Sequence, residues 1–192
     1  MRANEPPDRL GQPTTVLTVA ISNLQRRVPL DRPKIRRAVR LILGDHSVRR
    51  GSLSVVVVDD RTIRQLNRRH LACDEATDVL SFPLEQDDGY LEAEVVVSAE
   101  RAAAVAARYG WTAPEELLLY VIHGTLHLVG WDDQDARARR RMRRQERAYL
   151  RRLGVPQPTA RRRRNAQDES TPESVRLRPR RRREADGGEA KR

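Results

Sequence analysis

Residues able to do chemistry are concentrated in one stretch, His123-Gly124-Thr125-Leu126-His127-Leu128-Val129-Gly130-Trp131-Asp132-Asp133. His123 and His127 are spaced i and i+4, so on a helix both imidazoles project from one face about a turn apart and can reach one cation. Gly130 lets the chain leave the helix and fold back, which brings Asp133 in as a third ligand. Two imidazoles and a carboxylate suit Zn²⁺ and leave an open position for water. Water on such a cation is a nucleophile near neutral pH, able to attack an ester or a phosphodiester. The plainer alternative is a pair of histidines that face solvent or sit satisfied in the core. Gly130, the acidic pair behind it and the apolar run Leu117, Leu118, Leu119, Val121 and Ile122 favour the metal. Asp132 and His70 are alternative third ligands. A zinc peptidase of the His-Glu-x-x-His type takes its general base from the glutamate beside the first histidine; Gly124 stands there instead, so that chemistry lacks its base.

The elements that must position this stretch follow from periodicity and caps. A capping box, Thr112-Ala113-Pro114-Glu115, predicts a helix from about Ala113 to Leu128, stopped by Gly130. A last helix, about Gln134 to Leu153, carries Ala138, Met142, Tyr149 and Leu153 on one side and arginines elsewhere. Upstream, Thr15 to Ile21 alternates as a half-buried strand, and Asp31 caps a helix with Pro33 in its first turn that Gly44 ends. Leu53 to Val58 is a β-branched central strand, followed by a short helix capped by Asp59 or Asp60. Thr77–Phe82 and Leu91–Val97 flank Gln86-Asp87-Asp88-Gly89 as a hairpin, and Ser98 caps an alanine-rich helix ending near Gly110. The expected fold is α+β: a single small mixed β-sheet of about four strands covered by about five helices, with the metal site at the end of the central helix.

Composition narrows the setting. The 192 residues fit one domain plus dispensable ends: a flexible N-terminus over 1–13, a hydrolase domain over 14–155 and a disordered Arg-rich tail over 156–192. The net charge is +11, of which residues 157–192 carry +6. Such an excess fits a polyanionic partner, although arginine-rich chains also arise from base composition alone. Apolar residues nearly vanish beyond Pro156, where Arg161–Arg164 and Arg180–Arg183 form two tetra-arginine blocks. A single cysteine, Cys73, forms no internal disulfide and suits a reducing compartment. Neither a secretory h-region nor a run of ~18 apolar residues is visible, so a soluble cytoplasmic protein is expected, with no membrane partner.

With those motifs in place, the chain resembles the YbeY family of bacterial endoribonucleases, whose signature reads His-Gly-x-Leu-His-Leu-x-Gly-[Tyr/Trp]-Asp-His. Leu66-Asn67, then Asp74 and Thr77-Asp78-Val79-Leu80-Ser81-Phe82-Pro83, lie upstream as in that family, and the order of elements from Thr15 to about Leu153 also agrees. The resemblance implies a zinc-dependent single-strand endoribonuclease with one Zn²⁺ per chain. It would mature the 3′ end of 16S rRNA and take part in ribosome quality control, beside the small ribosomal subunit, ribosomal proteins and an assembly GTPase.

Three departures from the family pattern stand out. Asp133 replaces the usual third histidine; zinc accepts either ligand, but the added negative charge is expected to make the metal a weaker acid. Leu71 stands where many members carry an arginine suited to phosphate or transition-state charge, leaving that role to Arg68, Arg69 or a residue of the last helix. Ala93-Glu94 replaces a Gly-Asp pair. Asp78, Ser81 and Glu94 are candidate catalytic side chains, with local hydrogen bonding as the alternative for Asp78 and Ser81. Trp131 reads as packing behind the metal loop. Arg68, Arg69, Arg137, Arg140, Arg141 and Arg144 are candidate RNA contacts, against the alternative of a solvated basic face that also includes Arg139 and Arg143. The rival function is a non-catalytic assembly or RNA-binding factor with a structural zinc, which Leu71 strengthens.

Overall fold

A computed structural model describes residues 16–156 and 175–176. Its elements run β1 (Thr18–Asn23), α1 (Arg32–Asp45), β2 (Arg50–Val58), α2 (Asp60–Leu71), β3 (Val79–Asp87), β4 (Tyr90–Ser98), α3 (Ala99–Tyr109), α4 (Ala113–Leu128), α5 (Ala136–Arg152) and the two-residue β5 (Val175–Arg176). The expected flexible N-terminus lies outside the described residues, as does the tail apart from Pro156 and β5.

The strands form one mixed sheet in the order β1-β2-β4-β3-β5. β2 is an inner strand, with Leu53, Val55 and Val57 fully buried, and it pairs in parallel with β1 on one side and β4 on the other. β3 and β4 are the expected antiparallel hairpin, and β5 adds a fifth, short strand parallel to β3 through Leu80↔Val175 and Ser81↔Arg176. Gly89, at φ +65°, supplies the left-handed turn position of the hairpin.

Strand alternation divides the interior into two cores. Val79, Leu91, Ala93, Val95 and Val97 join α1, α3 and α4 in the larger one, whereas Leu80, Phe82 and Val96 face Ile63 of α2 in the smaller. α4 therefore lies inside the protein, with nearly every side chain from Glu116 to Leu128 buried. Its uniformly apolar sequence suits a helix covered on all sides.

The caps are largely as expected: the Asp31, Asp59 and Ser98 side chains accept the N–H groups of Lys34, Thr62 and Arg101, and the Glu115 carboxylate accepts from the Thr112 amide at 2.9 Å. Two helix boundaries differ, and β3 starts two residues later and runs on past Phe82 to Asp87. α1 continues through Gly44 to Asp45, and the chain turns at Ser47, with φ +63°. α5 starts at Ala136 because the Asp135 side chain takes the free amides of Arg137 and Ala138, at 2.7 and 2.8 Å.

Candidate metal centre

The last two turns of α4 carry His123 and His127, and a tight C-terminal turn aims the following loop back at them. Gly130, at φ +100°, permits that turn. Its amide donates to the His127 carbonyl and the Trp131 amide to the Leu126 carbonyl, both at 3.1 Å. The returning loop places Asp133 beside the imidazoles, with its Oδ2 3.7 Å from His123 Nε2 and its Oδ1 3.6 Å from His127 Nε2. The two Nε2 atoms are 2.9 Å apart. Ligand atoms at ~2.0–2.1 Å around a tetrahedral zinc are separated by roughly 3.3 Å, so these three side chains are spaced to share one cation.

The outer face of each ring supports the same conclusion. His123 Nδ1 lies 2.7 Å from Glu146 Oε1, and His127 Nδ1 lies 2.9 Å from the Trp131 carbonyl oxygen. A carboxylate and a carbonyl only accept, so both Nδ1 atoms are donors. In the neutral rings both Nε2 atoms then present lone pairs to each other and to Asp133, an arrangement that repels unless a cation lies among them. All three side chains are buried.

Hydrogen bonds brace the loop from two helices. His46, just past α1, donates from Nδ1 to the Ile42 carbonyl at 2.8 Å and accepts the Trp131 indole N–H at Nε2, 3.0 Å away. Trp131 thus backs the metal loop and hands His127 its carbonyl. From α5, Arg139 Nη1 donates to the carbonyls of Asp133 and Gln134 at 3.2 and 3.0 Å.

Gly124 is where α4 touches the sheet. A Cβ there would lie 2.8 Å from Val79 Cγ2 and from Val95 Cγ1, and 2.9 Å from Ser81 Oγ. A peptidase-type glutamate at this position has no room, so the missing base noted in the sequence has a packing cause.

The other candidates separate. His70 is not among the clustered ligands; its ring meets Phe82 edge-on at 5.2 Å on the α2 side of the sheet. Asp132 is exposed, and its Oδ1 accepts the Asp133 amide at 2.8 Å, so it shapes the loop. Ser81, buried on the α4 side, donates to the Gly124 carbonyl at 3.1 Å. Asp78, also buried, accepts from Arg101 Nε at 2.6 Å and ties the start of β3 to α3. Glu94 follows the parity of Val96 and faces the α2 side of the sheet, away from α4; partial burial raises its pKa. Leu71 packs against the smaller core, while Arg68 and Arg69 are exposed at the end of α2. Arg137, Arg140, Arg141 and Arg144 are exposed on α5.

Glu146, Arg139, His46 and Arg101 carry contacts that sequence reasoning did not assign. Only Glu146 left a trace: an acidic residue four after Met142, on the otherwise apolar, inward-facing stripe of α5.

An α+β scaffold that brings two helical imidazoles and a loop carboxylate within reach of one cation defines a protein able to hold a metal ion. Residues 20–154 match the family model of Endoribonuclease YbeY, and the chain belongs to that family of RNA-cleaving nucleases. The chain is 46 % identical over 111 residues to the Endoribonuclease YbeY of Rhodopirellula baltica, spanning 57 % of each protein. It is 40 % identical over 139 residues to that of Carboxydothermus hydrogenoformans, covering 70 % of this chain and 96 % of the relative. A Thermotoga maritima protein solved in solution shares the fold, with a TM-score of 0.52 at 24 % identity over 81 % of this chain and 98 % of its own.

Proposed function

We propose that the chain is a zinc-dependent endoribonuclease that cuts single-stranded ribosomal RNA in the cytoplasm, acting on the 3′ end of 16S rRNA and in quality control of the small subunit, beside ribosomal proteins and an assembly GTPase. The observation that carries the metal part is the commitment of both Nδ1 atoms to acceptors, which turns two Nε2 lone pairs and the Asp133 carboxylate onto one point. When bound there, Zn²⁺ supplies a Lewis acid and an activated water for attack on a phosphodiester.

The protein's own part is to hold and to orient. His123, His127 and Asp133 bind the metal; Trp131 and Arg139 fix the loop between them. α5 begins three residues after Asp133, so its exposed Arg137, Arg140, Arg141 and Arg144 start beside the metal loop, where phosphate contacts would position a strand. Arg68 and Arg69 offer a second set at the end of α2. Among the described residues no helix is long and apolar enough to cross a membrane.

A second reading, an RNA-binding assembly factor with a structural metal, is favoured by Leu71, whose packing against the α2-side core leaves no cationic group at that position. One comparison decides. Metal-loaded protein, its His127→Ala variant and chelated protein are each incubated with single-stranded RNA and precursor rRNA. The nuclease reading requires cleavage by the first alone. RNA binding that survives metal removal, without cleavage in any sample, supports the assembly factor.

A further inference from the structure

Glu146 is an acidic side chain on a helix otherwise rich in arginine, yet it points inward and is only 6 % exposed. Its neighbours on the same stripe of α5, Ala138, Met142, Tyr149 and Leu150, are the apolar residues that dock the helix. Burying a carboxylate among them is costly unless it is paired. Its hydrogen-bond partner is His123 Nδ1, at 2.7 Å, across 23 residues of sequence. Seven residues earlier, on the same side of the helix, Arg139 reaches the Asp133 carbonyl. One helix that supplies no metal ligand therefore touches two of the three ligand residues from behind.

We infer that α5 is the positioning helix of the metal centre. Glu146 holds His123 in the tautomer and orientation that present Nε2 to the cation, and Arg139 fixes the backbone of the Asp133 loop. This rests on the cluster being a metal site. By accepting the hydrogen bond from Nδ1–H, Glu146 leaves the Nε2 lone pair free and, through the carboxylate charge, makes the imidazole a stronger donor. The partners behind metal-bound histidines typically account for about 10–100-fold in metal affinity. The assignment also divides the basic face of α5, because Arg139 serves the loop while Arg137, Arg140, Arg141 and Arg144 remain outside.

The test uses the full-length chain, with Zn²⁺ affinity measured by competition against a chromophoric chelator and ligand geometry read from the visible spectrum of the Co²⁺-loaded protein. Glu146→Ala is expected to weaken Zn²⁺ binding by about 10–100-fold and alter the Co²⁺ spectrum. Glu146→Gln keeps an acceptor for Nδ1–H and should recover part of the affinity. Glu146→Leu, which refills the space, is expected to restore thermal stability of the metal-free protein but not Zn²⁺ affinity, and this separates positioning from packing. Arg139→Ala should weaken binding by a smaller factor, and Arg147→Ala, on the exposed face, should leave it unchanged. Wild-type affinity and spectrum in folded Glu146→Ala or Glu146→Leu protein would overturn the inference while leaving the metal site intact. Failure of the native chain to bind Zn²⁺ or Co²⁺ would instead overturn the metal site and the inference with it.

Discussion

Ser81 and Gly124 meet where α4 packs on the sheet: the serine hydroxyl donates to the glycine carbonyl at 3.1 Å, and Ser81 Oγ lies 2.9 Å from where a Cβ on residue 124 would stand. The contact sets how deep the histidine-bearing turn sits. Gly124→Ala gains at most about 1 kcal/mol of helix propensity, against about 1–3 kcal/mol for overpacking. The surrounding atoms belong to the short, buried side chains of Val79, Val95 and Ser81, which have little room to give. Urea unfolding should therefore show the alanine variant to be less stable, and Gly124→Glu more so. A peptidase-like His-Glu-x-x-His motif rebuilt here should yield a misfolded site rather than a new activity.

Asp133 is tested by two exchanges read as zinc content after dialysis. Asp133→His restores the ligand usual in the family and should keep one metal per chain. Asp133→Ala leaves two protein ligands, and most of the metal should be lost. Equal retention in both variants would remove Asp133 from the ligand set.

Arg101 neutralises the carboxylate that joins β3 to α3. Asp78 is nearly buried whereas Arg101 is 42 % exposed in its side chain, so removing the arginine strands a charge that water only partly reaches. Arg101→Ala should cost about 1–3 kcal/mol in equilibrium unfolding. Adding Asp78→Asn should recover part of that loss, and strict additivity of the two effects would show that the pair is uncoupled.

The end of α1 and the end of α5 are joined by a pH-sensitive group of three. Asp45 accepts from Arg152 and, at 3.0 Å, from the Tyr149 hydroxyl. The Arg152 guanidinium, aided by Tyr149, holds the Asp45 carboxyl below its ordinary value. Burial, with the bond to Asp45, pushes the Tyr149 phenol up to about 12. A depressed carboxylate stabilises the fold above its unfolded pKa of ~3.9, and the benefit disappears as pH falls through the folded value. A raised phenol stabilises below ~10 and loses that effect as pH rises through its folded value. Asp45→Asn should flatten the acid limb of the stability profile, and Tyr149→Phe the alkaline limb. Ultraviolet titration of the tyrosines should show the Tyr149 phenol moving down in Asp45→Asn.

The two tetra-arginine blocks beyond Pro156 are predicted to act on RNA through charge alone. Deletion after Gly154 should weaken binding to single-stranded RNA and reduce the slope of log K against log salt, with zinc content unchanged. Loss of zinc in that truncation would place part of the metal domain in the tail.

The local parts of this architecture were legible because they obey local rules. The capping residues Asp31, Ser98 and Thr112, the β-branched run of β2 and the His-x-x-x-His spacing each depend on neighbours within a few positions. Gly44 misled because a glycine also tolerates a helix interior, and the chain turns at Ser47 instead. What stayed hidden depends on pairing between distant segments. Glu94 could be assigned to a sheet face only from its register against Phe82. Asp78 could not be matched to Arg101 before α3 was seen to pack at the start of β3. Glu146 falls on the apolar stripe of α5, but nothing in the intervening residues marks His123 as its partner.

The three proposed ligands lie within an eleven-residue stretch, whereas Glu146 and Arg139 of α5 and His46, just past α1, brace that stretch from outside. An unfolded chain thus keeps the ligands near one another and retains some grip on the cation. Mass action stabilises a fold only by the difference between its affinity for the ligand and that of the denatured ensemble. The rise in melting temperature with added zinc should therefore fall short of what the native affinity alone gives, and the shortfall measures how much of the binding strength is delivered by the surrounding helices.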